Sequence, residues 1–138
     1  MTEVKIRPAK GSDIAFIYST WLNSYRNDSS IGLSVRKSVF FDNYQLILDQ
    51  LMDSSETIIA CQPDEENVVY GFMTFDPKTI HYAFVKEAFR RLGIAKSLFQ
   101  YAFTENLDRI SITHKTKYAQ FLCTKFNYNP FQLYLKGE

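Results

Sequence analysis

Val85-Lys86-Glu87-Ala88-Phe89-Arg90-Arg91-Leu92-Gly93-Ile94-Ala95 is the stretch on which the reading of this chain turns. It joins an apolar, β-branched and aromatic run, Thr79 to Lys86, to a segment of helical periodicity from about Gly93 to Asn106, with Ile94, Leu98, Tyr101 and Ala102 expected inward. A helix start leaves about four backbone N–H groups without intrahelical acceptors and carries the positive end of the macrodipole, so a tight turn feeding it can hold a phosphate. Gly93 lets a bulky anion approach the main chain. Ala95 keeps the next turn small, and Arg90, Arg91 and Lys96 surround the mouth with positive charge. The same letters also suit a plain strand-to-helix turn with arginines for solubility, because sparse glycine motifs recur by chance.

Outward from this turn the chain alternates strands and helices. Val4 and Ile6 alternate with charged neighbours until Pro8 closes a short first strand, and Ser12 is placed to cap the helix after it. Ile14, Ile17, Tyr18, Trp21, Leu22 and Tyr25 then mark one face of that helix. The turn formers of Asn27 to Ser34 separate it from a second helix carrying Phe40, Tyr44, Ile47, Leu48 and Leu51. Thr57–Cys61 and Val68–Phe75 read as an antiparallel pair around Pro63–Asn67, and Asp76-Pro77-Lys78 turns the chain into the Thr79–Lys86 strand. After the Gly93 helix come a short strand at Arg109–Thr113, a helix marked by Tyr118, Phe121, Leu122 and Phe126, and a closing strand with Phe131, Leu133 and Leu135. The order is β-α-α-β-β-β-α-β-α-β, a mixed α/β (α+β) fold with a mixed sheet, in one domain over 1–138.

Composition narrows the function classes. Sixteen Lys and Arg against fifteen Asp and Glu leave a formal charge of +1, which advertises no phosphate backbone and disfavours nucleic acid as a partner. Twelve Phe, nine Tyr and one Trp supply a substantial core. Cys61 and Cys123, like His81 and His114, stand far apart, so no metal-ligand spacing and no disulfide framework is expected. Glu3, Lys5 and Arg7 stand where a signal peptide would be apolar, and no run approaches the ~18 residues of a membrane span. The expectation is a reduced, cytoplasmic protein with no membrane partner.

Arg90-Arg91-Leu92-Gly93-Ile94-Ala95 resembles the pyrophosphate signature of the GNAT superfamily of acyl-coenzyme A-dependent N-acyltransferases: Gln or Arg, two residues, Gly, one residue, then Gly or Ala. Val85 and Phe89 fit the family's flanking positions, and the element order agrees, including two helices after the first strand. The last helix adds a partial match to the family's Asn-x-x-Ala-x-x-Leu-Tyr-x-Lys-x-Gly-Phe, with Ala119, Leu122, Lys125 and Tyr128 in the Ala, Leu, Lys and Phe places. It also departs from it. Thr116 replaces Asn, Asn127 replaces Gly, and Cys123 stands where many members carry a catalytic Tyr.

The resemblance implies transfer of an acetyl group from acetyl-coenzyme A to a primary amine by direct attack, in a cleft between splayed fourth and fifth strands. Amides around Leu92, Gly93, Ile94, Ala95 and Lys96 would hold the pyrophosphate. Amides around Phe84 and Val85 would steady the thioester oxygen. An alkylammonium of pKa ~10.4 must lose a proton before it attacks, and His81, with an unperturbed pKa of ~6.5, is the strand-four candidate base, sharing a face with Thr79 and Val85 by period two. The plainer alternative is a packed His with its hydrogen bonds satisfied. His114 is a strand-end residue near the same cleft, for substrate, for water, or merely polar. Cys123 is either a substitute acid for the leaving thiolate or a buried small residue.

Tyr18, Trp21 and Tyr25 line an acceptor pocket or form a core stripe, and Arg26, Asn27, Asp28 and Arg36 occupy the region where the family sets acceptor choice. The acceptor is a small molecule or a protein amine, a modified nucleobase being less attractive, and a homodimer is left open. The competing reading is a catalytically silent GNAT-like module that binds coenzyme A or serves a structural or interaction role, motivated by the missing Tyr and the missing Glu base.

Overall fold

The computed structural model describes residues 3–103, 110–114 and 127–133. Strand β1 (Lys5–Pro8) leads through a 3-10 turn, Gly11–Asp13, into α1 (Ile14–Asp28), α2 (Ser30–Ser34) and α3 (Lys37–Ser54). Then come β2 (Glu56–Cys61), β3 (Val69–Asp76), β4 (Thr79–Val85), a 3-10 turn at Glu87–Phe89, α4 (Ile94–Ala102), β5 (Ser111–Ile112) and β6 (Asn127–Tyr128). The six strands lie in sequence order; β1 to β4 are antiparallel neighbours, and β4–β5 and β5–β6 pair in parallel. This is a mixed α/β fold.

Alternation across the strands builds two cores. Ile58, Ala60, Met73, Ile80 and Val85 pack with Ile94 and Leu98 of α4 on one face. Ile59, Cys61, Phe72 and Tyr82 pack with Ile17 and Trp21 of α1 and Phe40, Tyr44 and Leu48 of α3 on the other. The sheet therefore sits between helices on both faces. At its β1 edge, buried Arg7 forks onto Asp13 (2.8 and 3.1 Å) and reaches the Glu66 carbonyl (2.9 Å), tying the first strand to the entrance of α1 and to the β2–β3 loop. Among the described residues no helix is long and apolar enough to cross a membrane, and no group of His, Cys, Asp and Glu is placed to hold a metal.

Several expectations shift. The entry to α1 is organised by Asp13, which accepts from Lys10 N–H at 2.7 Å, rather than by Ser12, which lies within the 3-10 turn. The Asn27–Ser34 loop is instead the end of α1 plus α2, because Ser29 breaks the helix with extended backbone and caps the next one, accepting from Gly32 N–H at 3.1 Å. Gly32 is required there: a Cβ would lie 2.4 Å from the Arg26 carbonyl oxygen. Tyr101 is exposed rather than inward, and α4 ends at Ala102. Among the described residues the last strand is β6, ahead of the expected Phe131–Leu135. Pro130 lacks an amide and suits a first helical turn, so Pro130–Leu133 forms a 3-10 turn. Leu135 and the helix expected at Tyr118–Phe126, with Ala119, Cys123 and Lys125, lie outside the described residues.

Candidate functional site

Among the described residues, strands β4 and β5 pair at Thr79–Ser111 and Ile80–Ile112, with Thr113 N–H donating to the Ile80 carbonyl (3.1 Å). Beyond that point β4 runs on for five residues with no described strand on its outer edge. Lys86 N–H donates to the Tyr70 carbonyl (2.8 Å), and in an antiparallel ladder such pairs recur at every second residue. Phe84 and Tyr82, opposite Phe72 and Thr74, therefore direct their main-chain groups toward β3, leaving those of Ala83 and Val85 for the outer edge. The Val85 amide thus points to the outer edge. The Phe84 amide does not, because ladder parity turns it to the other side.

At the end of this stretch the chain makes the turn that the sequence singled out. Arg91 (φ 67°) and Gly93 (φ 82°) both adopt left-handed backbone, which is cheap for glycine and costs an L-residue ~1–2 kcal/mol. The first α4 bonds run from Ser97 N–H and Ser97 Oγ to the Gly93 carbonyl (3.0 and 3.1 Å), so the amides of Ile94, Ala95 and Lys96 belong to no completed helical turn. A cleft of about 520 Å³ opens over them, lined by Val85, Phe89, Arg90, Arg91, Gly93, Ile94, Ala95 and Lys96. A Cβ built on Gly93 would meet nothing within 4 Å, so the glycine faces open space. These features fit a diphosphate held by main-chain amides. Leu92 and Phe84 do not line the cleft. Arg90 acts more locally, since its Nε donates to the Val85 carbonyl (2.8 Å) and its guanidinium lies 5.6 Å over the Phe84 ring, closing the turn.

His81 and His114 come together where β4 and β5 part. Thr74 faces Tyr82 while Phe75 faces Ile80, so His81 is the extra residue of a β-bulge. This slips the period-two reading, leaving Ile80, Ala83 and Val85 together on the α4 face and Tyr82 and Phe84 on the α1 face. His81 is 1% exposed. Its Nε2 lies 2.8 Å from Asp76 Oδ2 and its Nδ1 3.0 Å from Thr113 Oγ1. His114 Nδ1 lies 2.8 Å from the same Thr113 oxygen, and its Nε2 is hydrogen-bonded to the Tyr44 hydroxyl, which accepts from Trp21 Nε1 at 2.9 Å.

Edge-on aromatic rings of Trp21, Tyr25, Tyr44 and Tyr82 surround His114 at 4.9–6.0 Å. Complete burial, with His81 nearby, pushes its pKa down to about 3, so it is neutral at ordinary pH. Burial also holds the Tyr44 and Tyr82 phenols above their usual range. The sequence pointed to both histidines; it carried no sign of Thr113, Asp76 or Tyr44, whose roles depend on contacts between distant parts of the chain. Trp21 and Tyr25 belong to the core around His114, and Tyr18 donates to Asp49 (2.6 Å).

No family model and no curated protein matches the sequence, and the comparison that finds likeness is structural. A GCN5-related N-acetyltransferase from Rhodopseudomonas palustris superposes with a TM-score of 0.61 at 16% identity, over 91% of this chain and 81% of that one. A structure described as histone acetyltransferase HPA2 and related acetyltransferase, from Corynebacterium glutamicum, gives 0.57 at 15%, over 91% and 83%. Apo-form YjaB from Escherichia coli gives 0.53 at 14%, over 73% of this chain and 65% of that protein. The chain has the GNAT fold.

Proposed function

We propose that the protein is an acyl-coenzyme A-dependent N-acyltransferase, most simply moving acetyl from acetyl-coenzyme A to a primary amine of a small molecule or a protein. The observation that carries this reading is the continuity of the outer edge of β4, past its described pairing with β5, with the left-handed Gly93 turn and its cleft. A thioester laid along that edge would meet the outward amides of Ala83 and Val85, and its diphosphate would meet the amides of Gly93 to Lys96 with Arg91 and Lys96 alongside. The amine then attacks the thioester carbon, the C–N bond forms as the C–S bond breaks, and coenzyme A leaves as the thiol. A reaction inside the cell, where acetyl-coenzyme A is made, suits this chemistry.

Calorimetric titration of the protein with acetyl-coenzyme A tests the reading. Binding in the micromolar range is expected, and Gly93→Val weakens it about 100-fold, ~2.7 kcal/mol, because the side chain enters the cleft at a left-handed position. No binding by the unaltered chain, or unchanged affinity in the variant, overturns the assignment. Release of thiol over a panel of amines then separates a working transferase from a silent coenzyme A-binding module.

A further inference from the structure

Gly71 of β3 stands opposite Val85 of β4, where the two strands approach too closely for a side chain. A Cβ at Gly71 would lie 2.3 Å from the Phe84 carbonyl oxygen, 3.2 Å from the Phe84 carbonyl carbon and 3.0 Å from the Val85 Cα. All three are main-chain atoms, so no flexible group can swing aside. Gly71 is not left-handed, and it is space rather than backbone conformation that calls for glycine here. The Phe84 carbonyl and the Val85 N–H are the two ends of one planar peptide, so with the carbonyl directed to β3 the N–H is directed to the outer edge of β4. The next peptide is held from both sides: Lys86 N–H donates to the Tyr70 carbonyl and the Val85 carbonyl accepts from Arg90 Nε, both at 2.8 Å.

Strand β3 is shaped to make this seat. Ala60 faces Gly71 while Cys61 faces Val69, so Tyr70 is the extra residue of a β-bulge. The bulge turns Tyr70 to the α4 face, where its ring lies 4.4 Å from that of Phe89, a wall of the cleft over Gly93. Val85, which also lines that cleft, packs on the same face. Two neighbours in β3 therefore support the cleft from behind: Tyr70 backs its wall, and Gly71 lets the peptide of Phe84 and Val85 sit deep.

We propose that Gly71 is a positioning residue of the thioester site: its bare Cα lets the Phe84–Val85 peptide draw in toward β3, and this sets the Val85 N–H at the depth where it meets the thioester oxygen as charge develops there. The proposal rests on the acyl-transfer reading. Relieving a contact of 2.3 Å to an ordinary 3.4 Å needs a movement of about 1 Å. The free direction is outward, the side that the thioester would occupy, because β2 backs β3 through the Ala60–Gly71 pair. A shift of about 1 Å in one donor is enough to cost about 100-fold in rate, since the donor acts on charge that appears only in the transition state.

Gly71→Ala tests this beside Gly11→Ala, where a new Cβ meets nothing within 4 Å. With an amine of the panel that supports turnover, Gly71→Ala is expected to lower kcat about 100-fold, while KM for acetyl-coenzyme A and the calorimetric affinity for free coenzyme A, which has no thioester carbonyl, stay within about threefold. Gly11→Ala is expected to leave all three unchanged. An unchanged kcat in Gly71→Ala, or a loss of coenzyme A affinity in step with kcat, overturns the proposal.

NMR of the unaltered protein puts the question without a variant or an amine. The amides of Gly93 to Lys96 are expected to shift alike with coenzyme A and with acetyl-coenzyme A, because the diphosphate is common to both. The Val85 amide and the Phe84 carbonyl carbon, the two ends of the peptide that Gly71 seats, are expected to shift further with the thioester. An equal response of that peptide to both ligands, or a thioester response confined to Ala83, overturns the proposal even where Gly71→Ala fails to fold. A chain that binds neither ligand overturns the transferase reading instead.

Discussion

The mouth at Arg91–Lys96 and the apex around His81 and His114 lie at opposite ends of the stretch of β4 beyond its described pairing with β5, and they are built on opposite plans. The mouth is main chain: two left-handed residues, uncommitted helical amides and exposed side chains around open space. The apex is side chain: buried rings and imidazoles, each tied to a partner on another element. An anion of variable surroundings suits the first plan, because amides hold it whatever the neighbouring side chains are. A continuous run of side-chain hydrogen bonds needs the second, because each depends on a donor–acceptor distance that only dense packing fixes.

Three measurements sharpen this contrast. Trp21→Ala, at a fully buried ring stacked 4.7 Å from Tyr82, is expected to cost about 4 kcal/mol in urea unfolding; a cost near zero would mean that the apex is not packed as described. The pH dependence of stability comes next. His114 has its folded pKa near 3 against ~6.5 when unfolded, so between those values the unfolded chain binds more protons and stability falls as pH is lowered, by up to ~1.4 kcal/mol per unit. That contribution is complete above about pH 6.5 and gone below about pH 3. His114→Gln should flatten the slope in that window, and an unchanged slope would show the imidazole titrating freely. The smallest effect belongs to the mouth: Gly93→Ala, with nothing within 4 Å of the new Cβ, should lower stability by only ~1 kcal/mol from its left-handed backbone. A larger loss would show a packed turn rather than an open one.

The same contrast explains what could be read in advance. The Gly93 turn, the amphipathic α1 and α3 and the antiparallel β2–β3 pair are local signals, written in spacing and in turn formers, and the structure reproduces them with small changes of boundary. The apex is not local. Tyr44 and His114 are separated by 70 positions and His81 and Thr113 by 32, so no window of sequence contains their hydrogen bonds. The bulge at His81 is hidden for a related reason. A strand's alternation looks the same with or without one extra residue until its partner's register is known. Ser29, likewise, looks like one turn former among several; capping a new helix depends on the close approach of Gly32 to Arg26.

That approach also governs the corner between α1 and α2. With room for only a hydrogen atom at the seam, the elbow joining the first two helices cannot swing, yet Ile31 and Leu33 on its outer side stand in water. The result is a stiff bracket carrying replaceable tips: side chains at those two places can change without disturbing the seam, while an inserted or deleted residue beneath them would force the whole corner to be rebuilt.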